Sequence, residues 1–515
     1  MCETKLTRGH SLLFAAVAAL VVICRLLYLT GQSLWYDEGV SVMYSDTATL
    51  WDNLLQLASA QSSERYQPLY FTLLWGWRGM FGDAVLVLRL FSVLAGIGAV
   101  LLVFSIAKRV FGRSHAIWSA LIMAVSSYCV FYSQEVRPYA FLTLLTLIQL
   151  WLWIQADAAE HQGGPTVWRR LFWVSVGVGA FGSLFVGLFT VGLCAVHLAT
   201  ANDRRRWLNL WLPAVLAMLP AAIFFAGFGD YAETTSTISR MRQPLLLNTI
   251  FIPYGILVGT TYGPPLDELR GGSKFQALCD YAPQLIILTL AVAAIAVAWV
   301  HNLTRQAKEA PRRDSDIFFA LLTVLSFLLL VSFAAITKLN LLPRHAFSLM
   351  PILALTLPSV LIRDGSPTRV SRIGFLGLAV LLLLNLFSLW KYYFDPRHAR
   401  DDYRGATEYV RTNITENTKA ILVWGLPRLF TYYGASEVID GRGISKVMLA
   451  GEVRRLSGGA DSVILLLNRW FYWDSDPDAL EKHMYPGYEL KSKVELAQFK
   501  IYTFARADAS VGASR

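Results

Sequence analysis

The run Leu12-Leu13-Phe14-Ala15-Ala16-Val17-Ala18-Ala19-Leu20-Val21-Val22-Ile23-Cys24-Arg25-Leu26-Leu27-Tyr28-Leu29, followed by Ser33-Leu34-Trp35-Tyr36-Asp37-Glu38-Gly39, decides how the rest of the chain is read. An apolar run of this length crosses a bilayer as a helix. The acidic pair behind it therefore falls at the lip of a span, beside two rings that favour the membrane–water interface. Such a pair has two readings. One is a solvated loop in an interfacial belt. The other is a catalytic carboxylate facing a cleft at the membrane surface. Charged groups recur at this same level along the chain, and that recurrence favours the second.

Of the 515 residues, 55% are hydrophobic and 16% charged, whereas soluble domains carry about a quarter charged residues. The apolar residues are bunched into span-length runs, so the expected fold is a polytopic α-helical membrane protein. About eleven spans are expected, at 12–30, 84–107, 115–132, 138–156, 169–184, 185–201, 208–226, 283–303, 317–336, 346–362 and 373–393. The net charge is +10, but Lys and Arg sit in short clusters between runs, which reads as topology and not as a nucleic-acid partner. Lys5 and Arg8, Lys108, Arg109 and Arg113, Arg169 and Arg170, Arg204 to Arg206, and the clusters 305–313 and 363–372 fall on one side. The positive-inside rule makes that side cytoplasmic and the start of the chain a retained signal-anchor. The loops 31–83, 133–137, 227–282 and 337–345 then face outward with the tail, as expected of a multi-pass protein of the inner (plasma) membrane. Five scattered cysteines without a CxxC imply neither a disulfide framework nor a thiolate metal site.

In the first outer loop, 49–60 and 68–81 carry apolar residues at helical spacing and read as amphipathic helices on the membrane surface. Arg89 falls near the outer end of the second span, where a charge needs a partner or a wet cleft. The next outer turn, Tyr132-Ser133-Gln134-Glu135-Val136-Arg137-Pro138-Tyr139, packs an acid, a base and two Tyr between spans. The loop 227–282 is polar and turn-rich, with no span-length run and with Arg240, Arg242, Arg270 and Lys274 as its basic residues. In the short outer turn 338–345, Lys338 fits a snorkelling anchor. Arg344 beside His345 is harder to assign to anchoring.

The expected division is a transmembrane domain over 1–394 and a soluble extracytoplasmic α/β domain over 395–515. In the latter, helices are expected at 401–412, 428–434, 445–456 and 477–484, and strands at 420–424, 462–468, 489–494 and 499–504. No Gly-rich phosphate loop follows 420–424, so this domain is expected to cover the site or bind an acceptor, not a nucleotide.

Leu34-Trp35-Tyr36-Asp37-Glu38, Gln67-Pro68-Leu69-Tyr70, Arg89-Leu90-Phe91-Ser92 and the turn 132–139 together resemble the ordered motifs of GT-C glycosyltransferases. The similar branch is the bacterial one related to protein O-mannosyltransferases and the aminoarabinose transferase of lipid A. Many members carry His where Gln67 stands, which argues against a proton or metal role there. The resemblance implies transfer of a sugar from a polyprenyl-phosphate donor to an acceptor lipid, protein or cell-envelope glycan on the outer side of the membrane. It implies Asp37, Glu38 and Glu135 as catalytic carboxylates. Arg137, Lys338, Arg344, His345 and Arg89 would meet the donor phosphate, and Tyr36, Gln67, Tyr70 and Tyr139 would contact substrate. No cofactor is certain. A divalent cation on Asp37 and Glu38 is possible by their chemistry. Two rivals stay open: a flippase for polyprenyl-linked glycans, which predicts broken helices and ionisable residues at mid-membrane, and a non-enzymatic scaffold.

Overall fold

The computed structural model describes residues 8–60, 62–201, 203–227, 245–265, 268, 274–305, 311–361, 369–441, 449–469 and 488–506. Expectations resting on Lys5, Arg240, Arg242, Arg270, the cluster 363–368, the helix at 477–484 and the tail from 507 lie outside the described residues. The Lys274 side chain lies outside them too. Two compact units form: the described residues within Met1–Leu27, Tyr44–Tyr262 and Gln284–Trp390, and those within Tyr28–Met43, Gly263–Pro283 and Lys391–Arg515. The second unit thus gathers the acidic stretch at 33–39 with the C-terminal residues, though the chain separates them by the length of the first unit.

The helices before the tail are α1 (Arg8–Leu26), α2 (Tyr36–Tyr44), α3 (Leu50–Ala58), α4 (Pro68–Phe81), α5 (Val85–Val110), α6 (Arg113–Val125), α7 (Ser127–Ser133), α8 (Tyr139–Gln162), α9 (Val167–Gly182), α10 (Leu184–Thr200), α11 (Arg204–Ala226), α12 (Leu245–Val258), α13 (Lys274–Asp280), α14 (Ala282–Arg305), α15 (Pro311–Thr337), α16 (Leu349–Thr356) and α17 (Arg369–Phe394). Each of the eleven apolar runs falls on a helix or a consecutive pair of helical segments. Among the described residues, α5, α8, α11, α14, the 314–337 part of α15, and α17 are long and apolar enough to cross a membrane. The bent pair α6–α7 makes a seventh. The protein is a multi-pass membrane protein. The loop 227–282 departs from the expectation of a polar loop, because it contains the apolar helix α12. That helix has 14 residues and an internal Pro253, shorter than the roughly 20 residues of a full span.

In the helical unit α5 packs on α6 and α8, α9 on α8 and α11, and α10 on α15. The two amphipathic helices of the first loop form as α3 and α4. Thr49 caps α3 by accepting from the Asp52 N–H. Pro68 opens α4, where its missing N–H costs nothing, and Gly82 ends it at φ +90°, a conformation that favours glycine.

The bend between α6 and α7 is 61°. At the break the Ser127 N–H turns to Asn385 Oδ1 (2.9 Å) and so leaves the helical ladder. The Arg25 guanidinium replaces the lost donors at the end of α6, with Nη2 to Met123 O at 3.1 Å and Nη1 to Ala124 O at 3.5 Å. Gln134 Nε2 answers by donating to the carbonyls of Cys24, Arg25 and Leu27 at 3.3, 3.0 and 2.9 Å. Helix ends in apolar surroundings need such partners. A broken span is one feature a transporter would have, and here capping accounts for it.

In the second unit the tail supplies α18 (Tyr403–Asn413), β1 (Thr418–Trp424), α19 (Pro427–Tyr432), β2 (Ile439–Asp440), α20 (Leu449–Ser457), β3 (Ser462–Asn468), β4 (Tyr488–Leu496) and β5 (Phe499–Arg506). The sheet order is β2-β1-β3-β5-β4. β1 runs parallel to β2 and β3, while β5 runs antiparallel to β3 and β4. The central strands are nearly continuous apolar runs, as burial on both faces demands. Ile421, Val423, Val463, Leu465, Leu467, Tyr502 and Phe504 form the core with Val453 of α20. The edge strand β4 carries Glu489, Lys491, Lys493 and Glu495, charges that discourage further pairing.

Candidate active site

In the second unit, α2 begins one residue before Asp37. This puts Asp37 in the first turn, where the helix dipole favours a negative charge. Glu38 folds back so that Oε2 accepts the Trp35 N–H at 3.3 Å, the return half of a capping box. It is fully buried and lies 3.6 Å from Arg400 Nη1. Arg400 in turn donates to the Tyr392 hydroxyl at 2.9 Å. Asp37 is half-buried. Gly39 follows because α2 lies against α19: a Cβ there would stand 2.7 Å from side-chain atoms of Leu426 and Leu429.

Residues far along the chain hold this segment by its backbone. Ser33 Oγ donates to Asp401 O at 2.7 Å and accepts the Tyr403 N–H at 3.1 Å. The Leu34 N–H donates to the Tyr433 hydroxyl at 2.7 Å, and the Tyr36 N–H to Asp401 Oδ2 at 3.3 Å. The Tyr36 ring stacks on Trp424 with centroids 5.6 Å apart. Arg469, just past β3, donates through Nε to both Asp401 oxygens at 3.2 Å. Its guanidinium lies 5.3, 5.6 and 5.9 Å from the rings of Trp35, Tyr36 and Trp424.

The helical unit holds its own charged cluster. A short 3-10 turn, Ser63–Tyr66, precedes α4 and buries Glu64 and Arg65. Arg137 meets Glu64 there, with both Nη atoms 3.1 Å from Oε1. Arg137 also lies 3.5 Å from the Tyr139 hydroxyl, and its carbonyl accepts from Ser92 Oγ at 3.4 Å. Arg65 donates to the Tyr66 hydroxyl at 2.9 Å. Glu135 and Arg89 are buried in this unit. Tyr139 meets Tyr132 edge-on at 4.9 Å and borders a small cavity, whose walls include Arg25, Tyr128, Tyr132, Ser133 and Phe347. Gln67 is buried at the end of the 3-10 turn. Tyr70 is buried among Phe71, Phe91 and Phe141.

Lys338 is exposed and takes φ +54°, ending α15, with the next N–H reaching back to Ala334 O at 3.1 Å. This is the left-handed cap of a helix C-terminus. Arg344 is half-buried. His345 accepts the Leu342 N–H on Nδ1 at 3.0 Å and stacks on Phe185 with centroids 5.1 Å apart. Burial, reinforced by the Arg344 charge, pushes His345 well below its usual value. His345 is therefore a neutral ring carrying its proton on Nε2, and it offers a hydrogen bond in place of a charge.

The sequence reading missed Glu64, Arg65, Asp401, Arg400, Arg469 and Arg25. A charged doublet between two amphipathic helices, and a lone Arg inside an apolar run, were the available signals. Among the described residues no three His, Cys, Asp or Glu side chains gather as a metal site. Glu38 directs Oε2 at the Trp35 N–H and Arg400, so that oxygen is engaged within the protein.

Residues 66–228 match the family model described as dolichyl-phosphate-mannose-protein mannosyltransferase. No curated protein matches the chain by sequence. Among solved structures the chain is similar to ArnT from Cupriavidus metallidurans bound to undecaprenyl phosphate, with TM-score 0.56 and 14% identity over 97% of this chain and 98% of that one. ArnT in the apo state gives TM-score 0.53 and 15% identity over 98% and 99%. The archaeal oligosaccharyltransferase AglB from Archaeoglobus fulgidus, in complex with an inhibitory peptide and a dolichol-phosphate, gives TM-score 0.51 and 11% identity over 98% of this chain and 75% of that one. The chain has the GT-C glycosyltransferase fold.

Proposed function

We propose that this membrane protein is a glycosyltransferase that moves a sugar from a polyprenyl-phosphate-linked donor to an acceptor hydroxyl on a lipid, protein or cell-envelope glycan. The reaction is set on the extracytoplasmic side of the inner membrane, the side to which the Lys and Arg bias assigns the Asp37 segment and the tail. Asp37 takes the proton of the acceptor hydroxyl as its oxygen bonds to the anomeric carbon. The bond from that carbon to the phosphate oxygen breaks, and its electron pair leaves with the lipid phosphate. One displacement inverts the anomeric centre. The departing phosphate gains a negative charge, which Arg137 and Arg344 stabilise, and planar guanidinium groups suit its oxygens. Arg65 and Arg89 add positive charge in the same helical unit, and His345 adds an N–H. Glu38 keeps the first turn of α2 in place through its cap.

The observation that carries this reading is the GT-C fold along nearly the whole chain, in a relative whose solved structure holds undecaprenyl phosphate. Its test is turnover in proteoliposomes with a panel of polyprenyl-phosphate-linked hexoses and aminopentoses and envelope extract as acceptor. Asp37→Asn keeps the shape of the side chain and removes the base, so transfer should fall roughly a hundred- to ten-thousandfold. Near wild-type transfer by correctly inserted Asp37→Asn protein would sink the assignment. A reporter fused after Arg515 and active only in the cytoplasm would overturn the orientation.

A further inference from the structure

We propose that Arg469 is a positioning residue for Asp37, which makes the C-terminal α/β domain a working part of the active site. The inference rests on the reading of Asp37 as the base and adds a role for a residue 432 positions away in sequence (469 − 37). Arg469 leaves β3 in the left-handed region, at φ +49°, with its N–H on Gln498 O at 2.7 Å. That conformation costs about 1–2 kcal/mol for a residue with a side chain, and here it accompanies a side chain aimed at the Asp37 segment. The fork grips Asp401 through Nε and Nη2. The same Asp401 oxygen, Oδ2, receives the N–H of Tyr36, the residue before Asp37. The flat face of the guanidinium stands beside Trp35, Tyr36 and Trp424. Asp37 is thus bracketed: its backbone is fixed one residue upstream through Asp401, and its carboxylate lies in the field of the Arg469 charge, which Asp401 and Asp37 both sustain against burial.

The charged and titratable groups facing this cluster are Tyr36, Asp37 and Glu38 from the segment and α2, and Arg400, Asp401 and Tyr403 from the approach to α18. Glu38 pairs with Arg400. Asp401 pairs with Arg469. Arg469 accordingly favours the ionised, proton-accepting form of Asp37. A purely structural plug would hold the segment without this electrostatic effect.

The test compares full-length wild type, Arg469→Gln, Arg469→Lys and Asp37→Asn. Amide exchange is measured across 33–38, and kcat and donor KM are measured over pH with whichever donor of the panel the wild type uses best. Arg469→Gln should speed exchange at Tyr36 about tenfold, the equivalent of one lost hydrogen bond to a charged group. It should also lower kcat about tenfold or more with donor KM changed less than threefold, and move the acid limb of kcat to higher pH. Arg469→Lys keeps the charge but not the fork, so it should restore the acid limb and only part of kcat. Unchanged exchange with an unmoved acid limb in folded Arg469→Gln overturns the inference. So does a change confined to donor KM. If Asp37→Asn is fully active, the reading of the base fails. If Asp37→Asn is dead and Arg469→Gln behaves as wild type, the positioning role alone fails.

Discussion

Around Asp37 the chain is held chiefly by main-chain hydrogen bonds: Ser33, Leu34, Trp35 and Tyr36 each have a backbone or hydroxyl bond to Asp401, Tyr403, Tyr433 or Glu38. Around Arg137 a buried charge pair, Glu64 with Arg137, joins the hydrogen bonds of Gln134 and Ser92 in holding the turn. The first arrangement spreads its hold over several bonds, each worth about 0.5–1.5 kcal/mol. The second concentrates it, and losing either partner strands a buried charge at a cost of roughly 3–5 kcal/mol. The segment proposed to present a base is thus insured against single losses. The turn expected to meet a phosphate depends more on a single charge pair.

The contrast breaks most readily at the ion pair. Glu64→Ala and Arg137→Ala should each lower the stability of the protein in detergent by about 3–5 kcal/mol, and Glu64→Leu with Arg137→Met should recover most of the loss. Tyr433→Phe, which removes one acceptor from Leu34, should cost only about 0.5–1.5 kcal/mol. Equal losses in the two places would erase the distinction. Arg344→Ala tests the second arginine proposed to meet the donor phosphate. The loss of a charge-assisted contact, about 1.5–3 kcal/mol, should raise donor KM tenfold or more with folding intact. An unchanged KM would remove Arg344 from the phosphate site.

In the second unit, Gly39→Ala should cost about 1–3 kcal/mol, because a methyl group has no room against Leu426 and Leu429. Thermal unfolding measures it, and full stability would mean that α2 shifts freely. A further effect is on pH. Burial, with the nearby Lys391 and Arg397 charges, pushes His398 down to about 4 from 6.5. The unfolded chain takes up this proton first as pH falls. The contribution of His398 is therefore complete above about 6.5 and is lost between there and about 4. His398→Gln should flatten the stability profile across that window, and an unchanged slope would count against the burial of this ring.

The lengths of the apolar runs were legible because a bilayer sets them, and the alternation of strand and helix after residue 395 was legible because each strand buries its own apolar run. Asp37, Glu135 and Arg137 stood out as charges at the edges of spans. Their partners did not. Glu64 lies 73 residues from Arg137 and Asp401 lies 68 from Arg469, and only packing brings such residues together. The Ser126 break carries no Pro or Gly at its corner, so nothing local announced it, and the lone Arg25 inside an apolar run did not say which helix end it would cap. The cap of Glu38 on Trp35 and its pairing with Arg400 were not legible, because both depend on the start of a helix whose position the sequence left open.

The Ser33 bonds to Asp401 and Tyr403 join residues 368 and 370 positions apart. Chains are synthesised at roughly 5–20 residues per second, so about 20–70 s pass between the appearance of Ser33 and that of its partners. During that interval the ribosome delivers the helices of the first unit one after another, while the carboxylate-bearing segment waits for the chain to be almost finished. A nascent protein therefore carries the Asp37 segment without its main-chain partners through most of its synthesis, and the segment proposed to present the base gains its hold only when the tail folds.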